Sequence, residues 1–386
     1  MKPLFCEVTS WWDWYYIRNQ ISPHFFYYPV QLMIERGFNA EVLTLSNPEG
    51  RETKYESHPN LEIYRFVADH NVSLCARLFT YMVKKQYSLI HLHEVKWPVD
   101  CVTWIISRVK NTPMVFTTHA WQLDSLLKLE SKIPLIGNVR AHIFIKDSPT
   151  CVFVAFTRTQ AEAYKRMGIN NIKIIPHGID VAPFEIERDD KIEQKYGLEE
   201  LNILCVGMMD PRKGQHFLVK SMPKILKEYP HTKLLLVGRT YDRGKYLGTL
   251  KSLAQKLELR DKVEFLSDVT RSELIQLYLW SSLFVLPTQA ELFGLVFLEA
   301  MAAGLPVITT NRPHLREILG NGEAGVLVER EQKSIENAIL NLLRDDDLRR
   351  RLGNNGKKLV LQKYRLEKVI QQLWNLYKAL LDLNAN

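Results

Sequence analysis

Two glutamates mark the stretch of this sequence best suited to chemistry. Residues 286–310, LPTQAELFGLVFLEAMAAGLPVITT, predict a strand, a loop, an apolar helix beginning near Phe293 and a second strand. Glu299 is the one charged residue within the apolar run, and a buried carboxylate needs hydrogen-bond donors. Hydroxyl groups of a ligand are one source of donors, and a structural Arg or Lys is the other. Glu291 lies about two helical turns earlier, at the mouth of the helix, where it either faces the same ligand or caps the helix.

Backbone amides between the two glutamates could bind an anion. The first N–H groups of a helix have no partner within the helix, and they attract negatively charged groups. Here these groups belong to residues 292–295, which include Phe293, Gly294 and Leu295. The stretch therefore combines an anion site, a buried acceptor for a diol and a second acid at its rim.

Two adjacent cations and one histidine also stand at ends of predicted strands. Arg212 and Lys213, in GMMDPRKG at 207–214, follow a strand and precede a helix, a position that suits a diphosphate. A solvated turn is the alternative, since the G-x-G-x-x-G of dinucleotide-binding folds is absent. His119 ends the apolar run 114–119, and ligands of parallel sheets bind at the carboxyl ends of strands.

Strand-like and helical patterns alternate along the chain, which predicts an α/β fold of two doubly wound, Rossmann-like domains with a cleft between them. The hinge-like IPHGID at 175–180 and the polar stretch 185–193 place the boundary. We expect an N-terminal domain at 1–178, a C-terminal domain at 179–365, and a C-terminal helix at 366–386 that packs back on the first domain.

Composition narrows the class of partner. The 386 residues carry a net charge of +8, but no Lys/Arg tract accompanies it, so we expect no nucleic-acid partner. No apolar run reaches the roughly 18 residues that span a bilayer, and the first residues lack a signal-peptide core. We therefore expect a cytoplasmic protein, either free or peripheral on the inner face of the membrane.

Two segments leave that membrane contact open. Aromatic residues crowd positions 11–16 and 25–28, where they either pack against the first helix or meet a sugar or a membrane. Residues 126–146 mix apolar and basic side chains, as a membrane-facing segment or an ordinary pair of amphipathic helices would.

These motifs together resemble the retaining nucleotide-sugar glycosyltransferases of family four, along nearly the whole chain. The most specific match is ELFGLVFLEAMAAGLPVI at 291–308, with its two acids separated by seven residues. IPHGID resembles the IPNGID hinge of the family. The resemblance implies the B-type glycosyltransferase fold, an acceptor-side first domain and a second domain that binds the nucleotide sugar.

The resemblance also implies a role for each candidate residue. Glu291 would approach the transferred sugar, Glu299 would bind the ribose hydroxyls, and Gly294 and Leu295 would offer amides to the donor. Lys213 matches the diphosphate lysine, with Arg212 beside it, and His119 matches a histidine near the reacting sugar. We therefore predict retaining transfer of a hexosyl group from a UDP- or GDP-sugar to a hydroxyl acceptor, either a lipid-linked or a cell-surface glycan.

No cofactor is expected beyond the donor itself, which acts as co-substrate. No D-x-D box stands at a strand end, and the acidic run at 345–347 has the position of a helix cap, so we predict no metal site.

Three departures from the family keep other functions open. Met208 stands where an arginine is usual, an aromatic cluster replaces the first-loop Gly-Gly, and Pro313-His314 replaces a later Gly-Gly. The alternatives are a noncatalytic subunit that binds a sugar nucleotide as a scaffold, and an epimerase or phosphorylase of the same fold.

Overall fold

The computed structural model describes residues 3–8, 27–46, 53–67, 71–93, 99–118, 150–240, 242–291 and 293–385. The chain divides into two compact units. One comprises Met1–Gly178 together with Glu367–Asn386, and the other is Ile179–Leu366. The last helix therefore belongs to the first unit, although it follows the second unit along the chain.

The first unit holds a sheet of eight described strands in the order β3-β4-β2-β1-β5-β6-β7-β8. The strands are β1 (Leu4–Val8), β2 (Asn39–Ser46), β3 (Thr53–His58), β4 (Leu61–Val67), β5 (Leu89–His93), β6 (Met114–Thr117), β7 (Cys151–Ala155) and β8 (Ile172–Ile174). All neighbours pair in parallel except β3 and β4, which are antiparallel. The sequence patterns did not predict β3, because TKYESH at an open edge lacks the apolar run of a buried strand.

The helices of the first unit connect these strands and include the C-terminal helix. They are α1 (Tyr27–Glu35), α2 (Asn71–Val83), α3 (Val99–Val109), α4 (Arg158–Arg166) and, from the end of the chain, α13 (Leu366–Ala385). In α13 the fully buried Tyr377 packs its ring 5.7 Å from that of Phe5, and its hydroxyl is 2.5 Å from Nδ1 of His91. These contacts tie α13 to strands β1 and β5.

The second unit is a doubly wound sheet of six parallel strands in the order β11-β10-β9-β12-β13-β14. The strands are β9 (Leu201–Val206), β10 (Thr232–Val237), β11 (Val263–Leu266), β12 (Leu283–Leu286), β13 (Val307–Thr310) and β14 (Gly325–Val328). The helices are α5 (Asp190–Tyr196), α6 (Gln215–Glu228), α7 (Lys245–Lys256), α8 (Arg271–Trp280), α9 (Leu295–Ala302), α10 (Pro313–Ile318), α11 (Gln332–Arg344) and α12 (Asp346–Leu359). The predicted α/β fold of two Rossmann-like domains is confirmed.

Burial explains why the second sheet is so apolar. Every residue of β12 and β13 is buried, because helices cover both faces of a parallel sheet. Helix α9 is buried in the same way along most of its length, and Gly304 ends it with φ of 79°. The amide of Gly304 donates to the Met301 carbonyl and that of Leu305 to the Ala300 carbonyl, the paired bonds of a Schellman motif.

None of the helices in the described part of the chain is both long and apolar enough to cross a membrane.

Candidate functional site

The turn after β9 carries the two cations. Residues 211–213 form one 3₁₀ turn, and Asp210 caps it by accepting a hydrogen bond of 2.8 Å from the Arg212 amide. Gly214 then leads into α6 with φ of 79°. A Cβ atom at Gly214 would lie 2.6 Å from the carbonyl oxygen of Pro287, so only glycine lets this turn pack directly on the loop after β12.

The Arg212 side chain is engaged by a carboxylate of its own turn. Its Nε and Nη2 atoms donate to both oxygens of Asp210, at distances of 2.8 to 3.1 Å. Arg212 lowers the pKa of Asp210, and the largest cause is its side-chain hydrogen bonds. The Arg212 side chain is 37% exposed, so it can also meet a ligand, but Asp210 already neutralises much of its charge. Less of the Arg212 charge is thus available to a bound anion than its sequence position indicates.

Lys213 and Glu291 form the ion pair at the centre of the site. The Lys213 Nζ contacts Oε2 of Glu291, and each side chain is 18% exposed. One residue follows β9 and the other follows β12, two strands that are neighbours in the sheet. The fold therefore brings together, at the carboxyl ends of two strands, a cation and an acid that lie 78 residues apart in the sequence.

Helix α9 begins beside this ion pair without a side-chain cap. Gly294 occupies the N-cap position with φ and ψ both at 78°, and no side chain accepts a hydrogen bond there. Glu291 is adjacent, since its Cγ would lie 3.0 Å from a Cβ placed on Gly294. Its described partner is Lys213, so the interpretation of Glu291 as the helix cap is wrong. Phe293 is buried, with its ring 5.9 Å from that of Tyr364, and Leu295 is the first residue of α9.

Glu299 is buried in α9 and is held by two residues of α8. It is 5% exposed; Arg271 Nη1 lies 2.5 Å from its Oε1 and the Tyr278 hydroxyl lies 2.8 Å from its Oε2. Burial, and then the nearby Glu299 charge, raises the pKa of Tyr278 well above its ordinary value. Of the two donor sources considered for Glu299, a structural arginine is therefore present, and it is Arg271. A carboxylate accepts about four hydrogen bonds, so Glu299 still has capacity for a ligand's hydroxyl groups.

Sequence reasoning missed both partners of Glu299. Arg271 and Tyr278 lie on one face of α8, about two turns apart, and nothing in their local sequence separates them from ordinary helix residues. The signal that could have found them is indirect: a buried acid in α9 requires donors from a neighbouring helix.

Several sequence predictions lie outside the described residues. They are the histidine His119, the aromatic residues at 11–16 and 25–26, and the whole segment 126–146. Among the described residues, no group of three or more His, Cys, Asp and Glu side chains is arranged to hold a metal ion. Asp345 caps α12 by accepting a hydrogen bond from the Leu348 amide, as the acidic run predicted.

Comparisons with known proteins match both parts of the chain to glycosyltransferases. Residues 26–183 match the family described as Glycosyltransferase Family 4, and residues 187–359 match Glycosyl transferases group 1. An uncharacterized glycosyltransferase of Methanocaldococcus jannaschii is 27% identical over 376 residues, which cover 91% of this chain and 92% of that protein.

Solved structures with the same fold cover nearly the whole chain. Sucrose-phosphate synthase from Thermosynechococcus elongatus has a TM-score of 0.78 and 22% identity, over 99% of this chain and 100% of that one. Anabaena HepE, solved in complex with UDP and glucose, has a TM-score of 0.74 and 19% identity, over 98% of this chain and 100% of that one. At these identities the likeness concerns the fold.

Proposed function

Because this chain belongs to the family-four glycosyltransferases and has their B-type fold, we propose that it is a retaining enzyme that transfers a hexosyl group from a UDP- or GDP-sugar to a hydroxyl acceptor. The observation that carries the proposal is the Lys213–Glu291 ion pair beside the uncapped start of α9. A cation, an acid and helix-start amides at one point are the groups needed to hold a diphosphate and a sugar. The fold shared with HepE, which binds UDP and glucose, supports a nucleotide-sugar donor.

The ion pair sets the order of events at the donor site. A diphosphate carries more negative charge than one carboxylate, so it competes with Glu291 for Lys213. Once Lys213 binds the diphosphate, the Glu291 carboxylate is released toward the sugar. The amides of Gly294 and Leu295 add donors to the leaving group, and Glu299 accepts hydrogen bonds from the ribose hydroxyls.

The transfer itself follows same-face attack. The acceptor oxygen forms a bond to the anomeric carbon while the bond from that carbon to the diphosphate breaks, and the departing phosphate oxygen takes the acceptor's proton. Lys213 and the helix-start amides stabilise the charge that grows on the leaving diphosphate. His119, by its match to the family, orients the sugar. We propose that this reaction needs no metal, because the sequence has no D-x-D box at a strand end.

We propose a lipid-linked or cell-surface glycan as the acceptor, and a cytoplasmic protein with peripheral membrane contact. The support is from sequence: aromatic residues at 11–16 suit sugar stacking or a membrane interface, and the net charge of +8 suits an anionic surface. The alternative acceptor for the same reaction is a small soluble metabolite.

One observation favours a second candidate, a noncatalytic subunit that binds the sugar nucleotide. Met208 is 43% exposed where the family usually has an arginine, and Arg212 is already paired with Asp210. Such a subunit would bind the donor and never release the sugar.

The test is a panel of UDP, GDP, ADP and their sugar conjugates, in the absence of metal. We expect one nucleotide family to raise the melting temperature of the wild type, since a ligand that binds only the folded state stabilises it. Slow hydrolysis of the matching sugar nucleotide, with the released sugar first appearing in the donor's anomeric configuration by NMR, would establish a retaining enzyme. Binding without any turnover, with every acceptor tested, would favour the noncatalytic subunit.

A further inference from the structure

Arg330 is an arginine outside the predicted site whose side chain reaches both of the loops that form it. It lies between β14 and α11, and it is half-buried. Its Nε donates to the carbonyl of Pro287, at 3.1 Å, in the loop after β12. Its Nη2 donates to the carbonyl of Pro211, at 2.7 Å, and to that of Arg212, at 3.3 Å, in the turn after β9.

Packing holds the guanidinium in this place. Its Cζ atom lies 5.2 Å from the centre of the Phe217 ring, on the first turns of α6. A planar guanidinium can stack on a ring while its N–H donors keep the fixed spacing of a rigid fork, whereas an ammonium group carries its three donors on one atom at the end of a flexible stem. The side chain is thus a brace between two loops that are far apart in sequence.

The two braced loops carry the two members of the central ion pair. Lys213 follows directly after the carbonyls of Pro211 and Arg212 that Arg330 binds. The loops are also joined by a hydrogen bond of 2.6 Å from the Gln289 amide to the Arg212 carbonyl, two residues before Glu291. A shift of either loop would therefore move Lys213 relative to Glu291 and to the start of α9.

We infer that Arg330 is a positioning residue, which sets Lys213 at the distance from the α9 amides that a diphosphate requires. This inference rests on the proposed function. Arg330 acts through backbone carbonyls, so its loss should impair recognition of the phosphates and leave the nucleoside part of the ligand unaffected.

The experiment compares the affinities of a nucleoside diphosphate and of its free nucleoside. UDP with uridine and GDP with guanosine are titrated against wild type, Arg330→Met and Arg330→Lys, by calorimetry and ligand-observed NMR. We expect Arg330→Met to weaken diphosphate binding by about tenfold or more, with the nucleoside changed by less than about twofold. Arg330→Lys should show the same loss, since its donors sit on one atom and lack the fixed spacing with which the guanidinium fork meets both loops.

Arg349→Met is the matched control. Arg349 also donates to two backbone carbonyls, those of Leu342 at 3.0 Å and Leu343 at 3.3 Å, and it is similarly protected from solvent. It lies at the start of α12, with no bond to either site loop in the described contacts. We expect its loss to lower thermal stability without changing the ratio of diphosphate to nucleoside affinity.

The possible failures are distinguishable. If wild type binds a nucleoside diphosphate and Arg330→Met keeps the wild-type affinity ratio, the inference about Arg330 is overturned and the proposed function stands. A ratio restored by Arg330→Lys overturns it equally, and this holds even if Arg330→Met does not fold. If wild type binds none of UDP, GDP and ADP, the proposed function and this inference fall together.

Discussion

Replacing Arg271 by methionine should expose how much the buried Glu299 depends on its partner. The two oxygens of this carboxylate are held by Arg271 Nη1, at 2.5 Å, and by the Tyr278 hydroxyl, at 2.8 Å. Arg271→Met keeps most of the side-chain volume but leaves a buried negative charge with one described side-chain donor. Such a charge is costly, since no cation replaces the one that was lost and water compensates only in part.

The magnitude follows from burial. Breaking a fully buried ion pair from one side costs about 3 to 5 kcal/mol. The Arg271 side chain is 24% exposed and water replaces part of it, so we expect about 2 kcal/mol. In a unit of this size that is a fall in melting temperature of roughly 4 to 8 °C. Glu299→Gln keeps the shape and removes the charge, and should cost about 1 to 2 kcal/mol.

The double variant is the decisive measurement. With Arg271→Met and Glu299→Gln together, no charge remains buried, so the loss should be smaller than the sum of the single losses by about 1 kcal/mol or more. Denaturant and thermal unfolding of the four proteins complete the cycle. Losses that simply add would refute the reasoning, because they would mean that the two side chains do not stabilise each other.

An exposed pair of the same chemistry supplies the control. Arg344 Nη2 lies 2.6 Å from Oε2 of Glu228, but these side chains are 53% and 35% exposed. Arg344→Met should leave the melting temperature nearly unchanged, since solvent screens such pairs. The same proteins test the ribose role: Glu299→Gln should weaken nucleotide binding by about tenfold, and an unchanged affinity would leave Glu299 with a structural role alone.

Three further predictions test the site and the fold. Glu291→Ala should lower turnover about a hundredfold or more with nucleotide affinity changed less than about twofold, because we propose that the carboxylate acts on the sugar; equal losses in kinetics and titration would reject that role. Gly294→Ala should lower the free energy of unfolding by about 2 kcal/mol, since a Cβ would lie 2.6 Å from the Phe297 ring. Gly304→Ala should lower it less, because Gly304 has nearly the same positive φ but open space around its Cβ position. Equal melting temperatures of the two variants would refute the steric argument. Burial lowers the pKa of His177 from 6.5 to about 3, so the unfolded chain binds the proton first and the free energy of unfolding should fall as pH drops from about 6.5 toward 3. His177→Asn should reduce the loss of stability between pH 7 and 5 by about 2 kcal/mol. An equally steep loss of stability in the variant would contradict this.

Much of the fold was predictable because the buried strands and covering helices of a doubly wound sheet give alternating apolar patterns in the sequence. The alternation of strand-like and helical patterns anticipated the parallel strands, since a strand covered on both faces must be apolar throughout. Strand β3 was missed for the opposite reason: it lies at the edge, pairs antiparallel with β4 and carries polar residues.

The candidate site was only partly predictable. Glu291, Glu299 and Lys213 were selected as candidates because acids in or beside an apolar run and cations between a strand and a helix are rare enough to be noticed. Their pairing was not predicted. Arg212 was assigned to a phosphate, although an aspartate two residues earlier could reach it, and local spacing alone does not decide which charge an arginine meets.

The sequence by itself determined the alternation of strands and helices, the buried helix α9 with its glycine end, and the residue types available for a donor site. These depend on local conformation and on hydrophobic periodicity, which neighbouring residues carry. Only the tertiary structure decided that Lys213 meets Glu291, that Arg271 meets Glu299, and that Arg330 joins the two loops. Each of these contacts joins residues on different helices or loops, which the order of the strands in the sheet places next to each other.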